Sequence, residues 1–143
     1  MHQPPETFIS MLLLDGVFDR HPALRGAAVE LGAGWVPELT KRLDWVAKIY
    51  GRVDTSMQFD RTPSQQLSEQ MGFTPFPHED VANLIEQSNP DLYLFSSDYP
   101  HVEGGRNPIK KFEDSLASEA EAVKEKFFSE NFLRLWPEAR VNG

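Results

Sequence analysis

The 143-residue chain contains no cysteine, which excludes disulfide staples and thiolate metal sites, so any metal would be held by His, Asp or Glu. Histidine is scarce too. The four stand at His2, His21, His78 and His101, and no pair falls at H-x-H or H-x-x-x-H spacing. A self-sufficient zinc hydrolase site therefore cannot be drawn from this sequence. Cations are in deficit, with 14 Lys plus Arg against 22 Asp plus Glu and a formal net charge of -8. That balance repels phosphate backbones and excludes nucleic acid as the expected partner. Long apolar runs are missing: the longest, Met11 to Leu14, is far too short to cross a bilayer, so no membrane partner is expected. Met1-His2-Gln3-Pro4-Pro5 lacks the basic then apolar run of a secretory signal, and the expected compartment is the cytoplasm. Ser96 and Ser97 precede Asp98 without a G-x-S-x-G elbow, which leaves no nucleophilic triad to build.

What is present is an ordinary globular composition, 40% hydrophobic and 25% charged, with ten Phe and three Trp for a core. Residues 1–143 read as a single unit that buries roughly 70% of its unfolded surface. Apolar residues from Pro5 to Asp15 form a broad buried helical face, with Pro4-Pro5 as entry and Gly16 as stop. Gly26 to Leu31 reads as a buried parallel strand running into Gly32-Ala33-Gly34. Trp35 to Tyr50 is an amphipathic helix with Pro37 in its first turn. After a connection over 52–61, the capping-box spacing Thr62-Pro63-Ser64-Gln65 opens a short helix to Met71. Phe73 to Phe76 predicts a short strand, and a helix carrying Val81, Leu84 and Ile85 runs from near His78 to Asn89-Pro90. Leu92 to Phe95, apolar and aromatic throughout, predicts the strongest strand. Asn107-Pro108 caps a helix with Ile109, Phe112 and Leu116 inward, and Ser118 to Glu121 repeats the capping box before a last helix through Phe127, Phe132 and Leu135. Trp35, Trp45 and Trp136 are expected in the core, and the tail from Pro137 is expected to be loose. This alternation is that of a βαβ protein with parallel strands. The length is short of the about 250 residues of a complete (β/α)8 barrel. A chain that opens on a helix reads as the second part of a larger α/β unit.

Polar residues concentrate after the strongest strand, as Ser96-Ser97-Asp98-Tyr99-Pro100-His101, and carboxyl ends of strands are where α/β folds keep their chemistry. Asp98 there either ligates a divalent cation and takes a proton from water, or caps the turn before Pro100. His101 is either a ligand, proton carrier or substrate contact, or a solvated loop residue. Glu30 is the one charge in an otherwise apolar strand, so burial demands either a metal-linked role or an ion pair with a neighbouring Arg or Lys. The glycines after it admit close approach of a ligand, and the N–H groups opening the Trp35 helix offer a place for a substrate carboxylate.

Three words, Gly16-Val17-Phe18-Asp19-Arg20-His21-Pro22-Ala23-Leu24-Arg25, Val29-Glu30-Leu31-Gly32-Ala33-Gly34-Trp35-Val36-Pro37 and Phe95-Ser96-Ser97-Asp98-Tyr99-Pro100-His101, occur here in order. Pro63-Ser64 and Ser129-Glu130-Asn131-Phe132-Leu133-Arg134-Leu135 extend the series. Together they resemble the amidohydrolase-related family of metal-dependent hydrolases and decarboxylases, the group that includes aminocarboxymuconate semialdehyde decarboxylase. The resemblance implies a TIM-like (β/α)8 barrel, of which this helix-rich α/β chain is the C-terminal part, about three strand-helix units. It implies that Asp98 is the metal-bound catalytic aspartate of the eighth strand. Glu30 falls at the end of the sixth strand, where many members carry a histidine near the metal and a subset carries Glu. Glu30, His101 and Trp35 are the implied substrate contacts, and the implied cofactor is a divalent ion, zinc or alternatively manganese. The H-x-H of the first strand and the histidine of the fifth have no counterpart here. The implied activity is hydrolysis or non-oxidative decarboxylation of a small carboxylated or cyclic substrate, with self-association or a completing N-terminal segment to make the site whole. The rival expectation is a non-catalytic α/β interaction module.

Overall fold

A computed structural model describes residues 3–140; His2 lies outside the described residues. The chain opens with α1 (Gln3–Leu14) and a four-residue helix α2 (Val17–Arg20). It continues through β1 (Gly26–Ala28), α3 (Val36–Tyr50), α4 (Pro63–Gln70), β2 (Met71–Phe73) and α5 (Val81–Gln87). The last third holds α6 (Pro108–Ser115), α7 (Glu121–Glu125), a π-helical turn (Lys126–Glu130) and α8 (Asn131–Leu135). Among the described residues no helix is long and apolar enough to cross a membrane.

The result is a helix-rich α/β arrangement around a small parallel sheet. Gly26, Ala27 and Ala28 of β1 pair in parallel with Met71, Gly72 and Phe73 of β2. Phe73 in turn forms a parallel bridge with Tyr93, so the three segments lie side by side in chain order. Both predicted strand boundaries move. The strand expected to reach Leu31 ends at Ala28, because the backbone turns left-handed at Glu30 (φ 62°) and breaks the pleat. The strand expected over Phe73 to Phe76 begins at Met71, directly after α4, and Pro75, which has no N–H to give, falls beyond it.

Leu92 to Phe95 forms a bridge at Tyr93 rather than a full strand. Leu92 still belongs to a 3-10 turn from Pro90, and Leu94 N–H donates to Phe73 O (2.9 Å). Phe95 N–H then leaves the sheet for Phe127 O (2.9 Å) in the π-helical turn. A wide turn exposes carbonyls that an α-helix would use internally, and here one of them receives the segment that leads to Asp98.

The capping signals are realised unevenly. Thr62 and Gln65 form both halves of the capping box on α4, and Asn107 accepts from Lys110 N–H on α6. The box expected at Ser118 does not form: Ala120 caps α7 without a side-chain bond. Asp80, two residues past His78, caps α5 by accepting from Asn83 N–H, close to the expected start.

The core joins Ile9 and Leu13 of α1, Val36, Leu39 and Leu43 of α3, Phe73, Tyr93, Phe112 and Phe127, all nearly inaccessible. Phe95, Phe112, Phe127 and Phe128 form an edge-to-face cluster with ring centroids 5.1 to 6.4 Å apart. Each such pair contributes about 0.5–1.5 kcal/mol beyond area burial, and the cluster supports the backbone one residue before Ser96. Several residues expected inside are exposed: Trp45, Ile109 and Phe132, and on α1 Phe8 and Met11. Trp136 is half-buried against Phe132. Pro137–Ala139 forms a 3-10 turn, and Arg140 beyond it pairs with Glu130.

Candidate metal centre

Asp98 stands beyond the end of the bridging segment at Tyr93, itself in left-handed backbone (φ 54°). Asp tolerates that conformation better than most residues. The turn is held from within: Ser96 Oγ accepts from Asp98 N–H (3.4 Å), Ser97 Oγ from Tyr99 N–H (3.4 Å), and His101 N–H donates to Asp98 O (2.7 Å). Gly104 packs beneath, where an added Cβ would collide with Ser97 O. The turn thus returns His101 over the strand end.

Glu30 reaches the same place from β1. Its backbone N–H donates to Thr74 Oγ1 (3.3 Å), which fixes the loop after β1 to the residue after β2. Its side chain is 56% exposed, so the expected buried carboxylate is corrected: Glu30 lies past the strand, not inside it. His101 Nδ1 is 3.4 Å from Glu30 Oε1 and 3.3 Å from Asp98 Oδ1. One ligand atom from each of Glu30, Asp98 and His101 falls within 4.8 Å of the others, the one such group among the described residues.

The three differ in environment. Asp98's side chain is 7% exposed, and its Oδ1 is buried without a hydrogen-bond partner. An unpartnered buried carboxylate oxygen is costly, and a cation or a proton is what would compensate it. His101 is 57% exposed, open to an arriving molecule.

Trp35 is placed differently. It is buried, donates Nε1–H to Gly32 O (3.0 Å) and meets Phe73 edge-on at 5.5 Å. These contacts make it a support for the Gly32–Gly34 turn rather than an exposed substrate face. The N–H groups expected to receive a substrate carboxylate are already taken. Glu79 accepts from Ala33 N–H (3.0 and 3.1 Å), Gly34 N–H (2.7 Å) and Phe76 N–H (2.6 Å). No sequence pattern singles out Glu79 or Thr74. Glu79 follows Phe76 by three residues and reaches back to its N–H, the reach of a capping box, but no apolar period marks Phe76 as a cap.

His21 and His78 are exposed and do not belong to this group, His78 stacking on Phe76 with centroids 5.6 Å apart.

The amidohydrolase family profile matches residues 1–137. The chain belongs to the amidohydrolase family. Among solved structures it is similar to an amidohydrolase from Mycobacterium avium subsp. paratuberculosis K-10, with 31% sequence identity and a TM-score of 0.73. The match covers 89% of this chain and 32% of that one, so the chain spans about a third of that enzyme's length. No curated protein matches it.

Proposed function

We propose that this chain is the C-terminal part of a (β/α)8 barrel and carries part of the site of a metal-dependent hydrolase or non-oxidative decarboxylase acting on a small carboxylated or cyclic substrate. One observation supports this above all: the buried Oδ1 of Asp98, which receives no hydrogen bond and lies past the Tyr93 bridge, grouped with His101 and Glu30. Family membership adds a hydrolase-like chemistry to that geometry.

The residues fit a divalent ion. Two carboxylate oxygens and one imidazole nitrogen suit zinc, with manganese as the alternative, and the buried Asp98 Oδ1 receives no hydrogen bond that an ion would have to displace. Asp98, Glu30 and His101 would hold it. Such an ion would polarise a substrate oxygen or lower the pKa of bound water to about 7. With Oδ1 on the ion, the second oxygen of the Asp98 carboxylate would take the proton released there, on a side chain only 7% exposed. His101, the more accessible partner, orients the substrate's polar groups from the solvent side.

The site is completed by further polypeptide. A groove of about 600 Å³ runs between α1 and the free edge of β1, lined by Phe8, Leu12, Leu24, Val29 and Leu31. An open parallel edge beside exposed apolar side chains is a surface made to be covered. The same surface favours a second reading, a non-catalytic module that associates through it with another chain.

Metal stoichiometry separates the two. After incubation with zinc, one ion per chain that is lost in Asp98→Asn supports the enzyme. A folded, metal-free oligomer supports the module and removes the catalytic reading.

A further inference from the structure

Glu79 joins two loops that the sheet leaves unconnected. Its carboxylate accepts N–H groups of Ala33 and Gly34, 46 and 45 residues away, together with Phe76 on its own loop. The loop after β1 closes around it so tightly that a Cβ on Gly34 would lie 3.0 Å from Glu79 Oε1 and one on Gly32 3.2 Å from Oε2. Gly32 has φ 64°, open to glycine at no cost. The loop so closed is the one that carries Glu30. With Thr74 holding the Glu30 N–H on one side and Glu79 holding Ala33 and Gly34 on the other, the segment 30–34 is anchored at both ends.

From this we infer that Glu79 is a positioning residue for the metal centre: its carboxylate latches the Gly32–Gly34 turn and thereby sets Glu30 against His101 and Asp98. The inference rests on the metal reading proposed above. The side chain is not one of the three grouped ligand residues. It acts through the backbone, and it does so as an anion: three amide donors converge on it, and a neutral amide in its place would present an NH₂ group to N–H groups. Trp35 completes the arrangement from below by donating to Gly32 O. The turn is thus held through its carbonyl by an indole and through its N–H groups by a carboxylate. Groups that orient metal ligands typically contribute roughly 10–100-fold to metal affinity.

Two readouts on the full chain test this. Amide hydrogen exchange at Ala33 and Gly34 reports the latch, and Co(II) titration followed by its visible spectrum reports the metal centre. The wild type is expected to protect both amides and bind Co(II), and Asp98→Asn to keep the protection but lose the ion. In Glu79→Gln, protection is expected to fall, Co(II) affinity to weaken about 10–100-fold, and the Co(II) spectrum to change as Glu30 withdraws. Glu79→Asp, charged but one methylene shorter, is expected to lie between and serves if the Gln variant does not fold. Wild-type Co(II) affinity and spectrum in the Glu79 variants, with the amides exposed, would show a latch that only stabilises and would overturn the inference. Unchanged amide protection in those variants would overturn it too. If the wild type binds no Co(II), or Asp98→Asn binds it equally well, the metal reading itself fails and takes the inference with it.

Discussion

Asp98 Oδ1 and His101 Nδ1 stand 3.3 Å apart, the first on a side chain 7% exposed and the second on one 57% exposed. A buried acceptor thus faces an accessible imidazole across the mouth of the sheet. The pairing arises from local turn chemistry, because the bond from His101 N–H to Asp98 O (2.7 Å) brings the two side chains to the same side. Among the described residues no hydrogen bond reaches Asp98 Oδ1, and the imidazole 3.3 Å away pairs with it electrostatically only when protonated.

Asp98→Asn is expected to make the metal-free protein more stable while abolishing metal binding. The carboxylate is buried with one oxygen unsatisfied, and neutralising it with an isosteric amide removes a desolvation cost worth about 1 kcal/mol or more. Asn tolerates the left-handed backbone at this position (φ 54°), so the exchange adds no strain. Urea denaturation in the presence of a chelator measures this, and a less stable variant would contradict the account of Asp98 as a group with an unsatisfied buried oxygen.

Gly104→Ala is expected to lower both stability and metal affinity. The new methyl would press on Ser97 O, which is backbone and cannot rotate away, and lie 3.3 Å from Asp98 Cβ. Overpacking of this kind costs about 1–3 kcal/mol, and relief requires the whole turn 96–101 to shift. Thermal unfolding and metal titration on one preparation check it. A loss of stability with intact metal affinity would show that the turn moves as a rigid body with its ligands.

Much of this site is legible in the residues alone. Asp98 and His101 stand out because their turn follows an apolar, aromatic run, and a turn's geometry is encoded within a few adjacent residues. Glu30 stands out for a reason that is only partly right. Its charge is conspicuous, but the end of the strand depends on a left-handed residue that no propensity marks in a non-glycine position. The helices α3 and α4 are readable from period and caps, whereas Leu92 to Phe95 keeps only a bridge because its backbone is shared between Phe73 and Phe127. That sharing is a tertiary fact, as is Glu79's hold on Ala33 and Gly34. Periodicity turns Phe8, Met11 and Ile109 inward, yet it says which residues share a face and not what covers it, and all three are exposed.

Tyr93 is expected to impose a loss of stability at high pH. Burial pushes its hydroxyl well above the usual tyrosine range; the bond to Ser88 opposes this, and the nearby Glu79 charge adds to the rise. Below a pH of about 10 both folded and unfolded tyrosine are protonated and stability is unaffected. Above it the unfolded state releases a proton that the folded state retains, so unfolding becomes more favourable by up to about 1.4 kcal/mol per pH unit. Tyr93→Phe is expected to remove this slope while losing the bonds to Ser88 Oγ (2.7 Å) and Leu84 O (3.3 Å), at about 1 kcal/mol near neutral pH. Unfolding curves of both proteins from pH 8 to 11 decide it, and parallel alkaline slopes would exclude Tyr93 as the source.

Arg134 is expected to matter for stability and not for the site, because it serves the opposite ends of the strands. Its Nη1 donates to Glu69 O (2.6 Å), just before β2, and its Nη2 to Asp91 O (2.8 Å), just before the Tyr93 bridge. The guanidinium ties α8 to the amino ends of two parallel segments whose carboxyl ends lead to the candidate metal site. Burial lowers its pKa, with the Asp91 charge opposing that and Arg25 reinforcing it, so part of the gain from these bonds is offset by desolvation. Arg134→Ala is expected to cost roughly 2–3 kcal/mol through two lost charge-assisted bonds. Arg134→Lys should recover less than half of this, because an ammonium lacks the fork that spans both carbonyls. Co(II) affinity should stay within about twofold of wild type in the folded state, well inside the tenfold that 1.4 kcal/mol represents. Urea midpoints and metal titrations of the two variants test both halves. A large drop in metal affinity at unchanged stability would mean that strain at the amino ends reaches Asp98, and the separation of a stabilising end from a chemical end would not hold for this chain.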